Sequence, residues 1–270
     1  MQQAPSTSPF AMPSLFSFLD MNATVLAVSL AVFLLAGFIK GVIGLGLPTV
    51  AIGLLSLVMS PVQAAALLIL PSMVTNGWQL ATGGAFLALA RRLWGMLVGI
   101  MVGTLAGSGL MGVDGGRRAI VILGLALMLY AIAGLAAWTP SVRPGLERWW
   151  SPVIGLLTGL VTAATGVFVI PAVPYLQALG LQRDQLIQAL GLSFTVSTLA
   201  LAVNLGQGGA FSGGVGWASL VVLVPALLGM AIGTRVRGMV RAASFRRAFF
   251  IGLLLLGLHL AWHITELAPW

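Results

Sequence analysis

A single lysine, Lys40, lies in an otherwise apolar stretch, GFIKGVIGLGLPTV at residues 37–50. The charge could reach the membrane surface by snorkelling. However, seventeen residues of apolar segment precede it and the next charge along the chain is Arg91, so we expect the ammonium to lie at membrane depth, where ionisable residues are usually functional. The five acids of the chain fall near segment ends or in connections. A buried ammonium without a carboxylate partner loses its proton or needs a counter-anion. A substrate anion would supply one, so these residues predict an anion site.

The glycines and the proline that follow Lys40 predict a break in its helix. Unwound backbone survives in a membrane only where protein or a wet cavity covers it. A half-helix that begins at such a break directs its N–H groups and its dipole inward, which favours an anion. Pro48 suits the first turn of this half-helix, where its missing donor costs nothing. In TAATG at 162–166, Thr165 and Gly166 predict a matching break, with Thr165 placed to act as an N-cap.

Two later apolar segments carry polar side chains at helical spacing. Such side chains commonly join helices in membranes, but amides are costlier to bury than hydroxyls, which favours a cavity-lining role for the amide residues. We predict no catalytic residue, no metal ligand and no cofactor. The predicted substrate-binding residues are Lys40, Gly44, Gly46, Pro48, Thr49, Thr75, Asn76, Gln79, Thr162, Thr165, Gly166, Ser193, Ser197 and Asn204.

The composition requires a membrane around these residues. Of the 270 residues 59% are hydrophobic and 7% charged, which excludes an ordinary soluble domain. The uncharged runs are long enough for helices that cross a bilayer, which need about 20 residues each. The net charge of +8 would suggest nucleic acid in a soluble chain, but here it lies in short connections and fits the positive-inside rule. The predicted partners are therefore the lipid bilayer and a small anion, not nucleic acid.

The apolar segments fall into two runs of five, and the same sequence features recur in the same order in each run. GFIKGVI at 37–43 aligns with GLLTGLV at 155–161 with both glycines matched, and a break follows each, which predicts a duplication. The expected organisation is a polar tail at 1–22, transmembrane repeats at 23–138 and 151–264, a cytoplasmic linker at 139–150 and a C-terminal tail at 265–270.

The first two segments of each half are too short for two full crossings. Residues 151–180 form only 30 positions with a break inside, so we expect two half-length helices that meet near the midplane as a re-entrant hairpin; a single broken helix is the alternative. With hairpins, ten arginines share one membrane face and two, Arg117 and Arg118, lie on the other. With broken helices the division is eight against four, so the positive-inside rule favours hairpins.

Hairpins leave three net crossings in each half and therefore orient the halves oppositely, with both termini outside the cytoplasm. The predicted fold is an all-α polytopic membrane protein of two inverted repeats. Each repeat is a broken or re-entrant helical hairpin plus three transmembrane helices.

The stretch GFIKGVIGLGLP, its echo at 155–171 ending in GVFVIP, and the duplicated layout resemble the TauE/SafE sulfite exporter family, also called toluenesulfonate uptake permeases. The resemblance covers about residues 23–264. It implies an exporter of sulfite, sulfonates or other organic anions in a bacterial inner membrane. The family's usual tip is G-x-G-G-G, and this chain has GLGLP and TAATG instead, which leaves a bulkier sulfonate or carboxylate open. An intramembrane enzyme and an uptake permease for an organic acid are the alternatives, and a homodimer is left open.

Overall fold

The computed structural model describes residues 23–81, 84–112, 117–136, 141–211 and 213–262. Within these ranges the protein is all-helical, and seven helices, all except α2, α6 and α7, are long and apolar enough to cross a membrane. The predicted all-α, multi-pass membrane fold is confirmed. The helices are α1 (Ala23–Ile43), α2 (Leu47–Leu55), α3 (Pro61–Ala81), α4 (Phe86–Ala106), α5 (Arg117–Leu135), α6 (Pro144–Thr165), α7 (Ala172–Ala178), α8 (Arg183–Gln207), α9 (Gly213–Val236) and α10 (Ala242–Trp262).

Helices α6 and α7 form a re-entrant hairpin rather than one broken helix. The Val142 N–H, just before α6, donates to the carbonyl oxygen of Ala178 at the end of α7, at 3.1 Å. The Tyr175 hydroxyl on α7 lies 2.6 Å from the Ser151 hydroxyl on α6. The chain therefore returns after the break to the end of α6 from which it started. Helices α1 and α2 likewise consist of a long helix, a break and a short helix, and α2 packs between α1 and α3.

The two arms of each hairpin differ in length, whereas the sequence predicted two half-length helices. Helix α1 has 21 residues and α6 has 22, about 31–33 Å of helix, which is enough to cross a bilayer. The returning helices have only nine and seven residues. Helix α6 begins at Pro144, inside the stretch taken as a linker, because proline is well tolerated in the first turn of a helix.

The two breaks do not meet near the midplane as predicted. The Gln79 side chain, near the end of α3, donates to the Gly44 carbonyl oxygen at 2.6 Å. Gly166, in the second break, lies instead against Ala65 near the start of α3 and against Ile52 on α2. Gln79 and Ala65 are fourteen residues apart, about 21 Å along a helix. The long first arms carry the breaks toward opposite ends of α3.

Helix α1 packs against α9, in the other half of the chain, with backbone against backbone. Gly37 faces the carbonyl oxygen of Ala226, and Gly41 faces that of Met230. A Cβ atom at either glycine would overlap the oxygen, so only glycine permits this approach. The contact advances by four residues on both helices, so α1 and α9 run parallel.

The same crossing occurs between α6 and α4. Gly155 faces the carbonyl oxygen of Met96, and Gly159 faces that of Ile100, so these helices are also parallel. Gly155 and Gly159 are the glycines that align with those of GFIKGVI. The sequence match between the halves therefore marks equivalent contacts.

Two further pairs of helices run antiparallel. On α3 and α8, Leu80 pairs with Gln188 and Ser72 pairs with Thr198, so numbers rise on one helix as they fall on the other. On α5 and α10, Gly124 contacts Gly257 and Tyr130 packs against Phe250 with ring centroids 5.2 Å apart. In both pairs, helices at the same place in the two runs of five point in opposite directions.

Candidate functional site

Lys40 lies on the last turn of α1 and is held inside the protein by α3. The residue is only 2% exposed. Its Nζ donates to the Thr75 hydroxyl oxygen at 3.0 Å and to the Asn76 side-chain oxygen. Both partners are fully buried on α3. The ammonium is therefore shielded from solvent and contacts neutral oxygen atoms.

A chain of hydrogen bonds extends from Lys40 to α8. The Asn76 amide nitrogen donates to the Ser72 hydroxyl at 3.2 Å and to the Thr198 hydroxyl at 3.4 Å. We call Lys40, Ser72, Thr75, Asn76 and Thr198 the Lys40 cluster; each is buried. The polar stripe predicted on α3 therefore faces α8, and it joins three helices around one charge.

The Lys40 cluster contains one formal charge and no carboxylate. Within the described part of the chain the acids are Glu147 and Asp184; Glu147 accepts two hydrogen bonds from Arg92, each 2.8 Å long. Asp184 is exposed in the first turn of α8. The other acids, Asp20, Asp114 and Glu266, lie outside the described residues. Hydroxyl and amide oxygens can solvate an ammonium but do not neutralise it, so the described cluster supplies no charge to balance Lys40.

Three predicted site residues, Thr49, Ser193 and Ser197, carry fully buried hydroxyls with no hydrogen-bond partner among the described residues. Thr49 lies on α2, and Ser193 and Ser197 are one turn apart on α8, next to Thr198. A buried hydroxyl without a partner costs about 1–3 kcal/mol, so a ligand that bonds these groups would recover that cost. Other buried hydroxyls of this kind are on Ser56, Thr104 and Tyr130.

The first break has the backbone that the sequence predicted. Gly44 and Gly46 have φ values of 84° and 108°, a left-handed conformation that favours glycine. Pro48 lies in the first turn of α2, as expected. Eight of the nine residues of α2 are buried, so protein covers the break, as unwound backbone in a membrane requires.

Side chains from two other elements cap the end of α1 at this break. Gln79 bonds the Gly44 carbonyl oxygen, as described above. The Arg237 guanidinium, just after α9, donates to the Gly41 carbonyl oxygen from Nε at 3.1 Å and from Nη2 at 2.7 Å. These bonds satisfy carbonyl oxygens that the ended helix leaves free. In this structure Gln79 therefore holds the break in place.

The second break differs from the prediction. Thr165 is the last residue of α6, and Gly166 follows as its C-cap with φ 73°, so Thr165 does not cap the next helix. The Thr162 and Thr165 hydroxyls each donate to a carbonyl oxygen one turn earlier in α6, at 2.7 Å. The prediction was wrong because a left-handed glycine ends the helix and several non-helical residues separate it from α7.

Asn204 is not part of the Lys40 cluster. It lies six residues beyond Thr198 on α8, where its amide nitrogen donates to the Thr104 carbonyl oxygen at 3.0 Å and its oxygen accepts from the Ser108 hydroxyl at 3.0 Å. Asn204 therefore joins α8 to α4. It also lines a cavity of about 200 Å³, together with Ser108 and Met111.

The comparison with known families covers nearly all of these elements. The family described as sulfite exporter TauE/SafE matches residues 29–260. The chain belongs to this family. TauE/SafE proteins are membrane transporters, which agrees with the helices long enough to cross a membrane. No curated protein and no solved structure matches the chain.

In this TauE/SafE protein, the sequence predicted Lys40 and both of its direct partners but not four supporting residues, one of which is Ser72 of the Lys40 cluster. Thr198 and Arg237 are described above. Gln188 on α8 donates to the Leu80 carbonyl oxygen and accepts from the Ala85 N–H, both at 2.9 Å, so it joins the end of α3 to the start of α4. A glutamine inside an apolar helix was a usable signal for Gln188. No local signal pairs Arg237 with a glycine 196 residues away.

Proposed function

We propose that the protein is a secondary exporter of a small sulfur-containing or organic anion, and that the anion binds at Lys40. The observation that carries the proposal is a buried ammonium that contacts only neutral oxygens in the described structure. Burying a charge without an opposite charge is costly. A bound anion would supply that charge, and a transporter would expose the site to each side of the membrane in turn.

Buried donors on α2 and α8, which both pack against α3, support a sulfonate or a carboxylate as the ligand. Besides the ammonium, the buried hydroxyls of Thr49, Ser193 and Ser197 can each donate one hydrogen bond. Such oxyanions have several acceptor oxygens around one centre of charge. One lysine balances one negative charge, so the site favours a monoanion; the dianions thiosulfate and sulfoacetate in the screen below test that preference. Pro48 removes one backbone donor from α2, which favours recognition by side chains.

The helix directions support a pair of oppositely oriented halves. Equivalent helices α3 and α8 are antiparallel, and so are α5 and α10. Inverted repeats place transporter sites between the halves, and the Lys40 cluster lies between α3 and α8. With the arginine-rich connections at 91–92, 143–148 and 235–247 on the cytoplasmic face, both termini would be periplasmic in a bacterial inner membrane.

The proposed driving force is the charge of the substrate. Coupled transporters usually hold a carboxylate at membrane depth; in the described helices, Glu147 and Asp184 lie in first turns. An inside-negative potential contributes about 2.3 kcal/mol per charge per 100 mV, which makes outward movement of an anion favourable.

The test is anion flux in proteoliposomes with a clamped potassium-diffusion potential and no pH or sodium gradient. Candidate anions are first screened by their effect on the thermal stability of the purified protein, with sulfite, thiosulfate, sulfoacetate, taurine and aliphatic acids. We expect flux of the stabilising anion to follow the potential. Flux that ignores the potential but follows a pH gradient would overturn the driving force, and a screen without any stabilising anion would overturn the substrate class.

A further inference from the structure

An apolar groove lies beside the first hairpin, between α1, α2 and α10. Its volume is about 340 Å³ and its lining is apolar, including Phe38, Ile39, Val50, Phe249 and Gly252. Both arms of the hairpin form its walls, and Ile39 directly precedes Lys40. The groove is partly open, and two of its three helices, α1 and α10, are long and apolar enough to cross the membrane, so lipid chains can reach it.

Arginines lie at one end of this groove. The rings of Phe38 and Phe245 meet there with centroids 6.1 Å apart. Arg237 bonds the carbonyl oxygen of Gly41, which is one turn beyond Phe38 on α1. Arg241 directly precedes α10, and its carbonyl oxygen accepts from the Phe245 N–H at 3.1 Å. The groove therefore has an apolar body and a cationic end.

The positive charge at this end has no carboxylate nearby in the sequence. Five arginines occur between residues 235 and 247, and the chain has no acid between Asp184 and Glu266. Burial, and then the positive charge of Arg183, lower the pKa of Arg237 from its ordinary value. In the described part of the chain neither Arg237 nor Arg241 forms an ion pair, and the surrounding bilayer is a source of negative charge.

We propose that the groove binds one acyl chain of an anionic phospholipid whose phosphate contacts Arg237 and Arg241. A phospholipid matches both parts of the site, because an acyl chain fills an apolar groove and basic residues near the surface attract anionic headgroups. The chain would pack against Ile39 on α1 and Val50 on α2. A bound lipid would therefore support the hairpin that carries Lys40.

The groove is tested by filling it. Gly252 lines it, and a Cβ atom there meets nothing within 4 Å, so Gly252→Leu adds a side chain without a clash. Gly216→Leu on α9 is the matched control, because that glycine is equally open and does not line the groove. Native mass spectrometry of the purified protein would count bound dioleoyl phosphatidylglycerol and dioleoyl phosphatidylcholine. We expect Gly252→Leu to lose the bound phosphatidylglycerol and Gly216→Leu to retain it.

The headgroup contact is tested separately with exposed residues whose replacement spares the fold. Arg241→Gln should weaken binding of phosphatidylglycerol about fivefold, since each arginine contributes about 1 kcal/mol near an anionic surface. Arg91→Gln, an exposed arginine at the start of α4, should leave it unchanged. Equal retention of both lipids by the unmodified protein, or unchanged binding in Arg241→Gln, would overturn the proposal. Conversion of a dimer to a monomer by Gly252→Leu would assign the groove to a second copy instead.

Discussion

Replacing Lys40 with methionine separates anion binding from folding. Methionine keeps most of the length of lysine and removes the charge. In the protein without ligand, the change leaves the buried Asn76 oxygen without its donor, at a cost of about 1–3 kcal/mol. It also removes the burial cost of the ammonium, which is several kcal/mol for an ion in a protein interior. We therefore expect the free energy of unfolding of Lys40→Met to equal or exceed that of the unmodified protein.

Anion binding should respond very differently. The bound anion would lose its only full positive charge in the Lys40 cluster, and truncation of one member of a buried charge pair costs about 2–5 kcal/mol. The expected loss of affinity is roughly 30-fold to several thousand-fold. Calorimetric titration of the purified protein with the best anion from the screen measures this loss, and thermal denaturation measures the stability.

Thr158→Val is the matched control for this experiment. Thr158 is the counterpart of Lys40 in the alignment of the halves, and its buried hydroxyl donates only within α6, to the Ile154 carbonyl oxygen at 2.7 Å. We expect its affinity to stay within about fivefold of the unmodified protein, because one neutral hydrogen bond contributes about 1 kcal/mol. Full affinity and flux in Lys40→Met, with Thr158→Val also normal, would refute the role of Lys40 as the partner of the anion.

Three further predictions address the rest of the molecule. Ser193→Ala and Ser197→Ala should leave the empty protein as stable as before, since their hydroxyls have no described partner, but each should weaken anion binding by about tenfold or more; unchanged titrations would remove them from the site. Gly37→Ala should lower the melting temperature sharply by overpacking, a cost of about 1–3 kcal/mol or more, whereas Gly77→Ala, where a Cβ meets nothing within 4 Å, should not; equal melting temperatures would contradict the described crossing. Because the chain has no cysteine, Ser141→Cys can be labelled alone, and reaction with an impermeant reagent in intact cells would contradict the cytoplasmic placement of that face.

Helix positions were largely readable from the sequence. The predicted break after Lys40 coincides with the end of α1 at Ile43, because a glycine-rich stretch follows there. The aligned glycines at 37 and 155 also identified equivalent positions. What they contact was not readable, because the partner helix comes from the opposite half of the chain and no local pattern specifies it.

The sequence predicted which helix faces carry the site residues, but not which helices those faces contact. Helical spacing placed Thr75 and Gln79 on one face of α3, with Asn76 adjacent, and Thr75 and Asn76 contact Lys40. The same reasoning grouped Asn204 with Ser197, yet Asn204 faces α4 because seven residues along α8 bring it beside a different helix. The predicted length of the first arm of the second hairpin was wrong for a similar reason. Helix α6 begins as early as Pro144 because the rest of the helix packs against α4.

The glycine crossings interlock the two halves of the chain. Helix α1 of the first half is joined to α9 of the second, and α6 of the second half is joined to α4 of the first. Neither half expressed alone could cover its glycine-lined faces, so the two fragments should fold only when they are produced together. A motion that rocks one half as a rigid body against the other would have to separate both crossings, where backbone touches backbone. The Lys40 cluster would then open through movement of helices outside the crossings. The shortest of these that packs against α1 is α2, which lies between the two breaks.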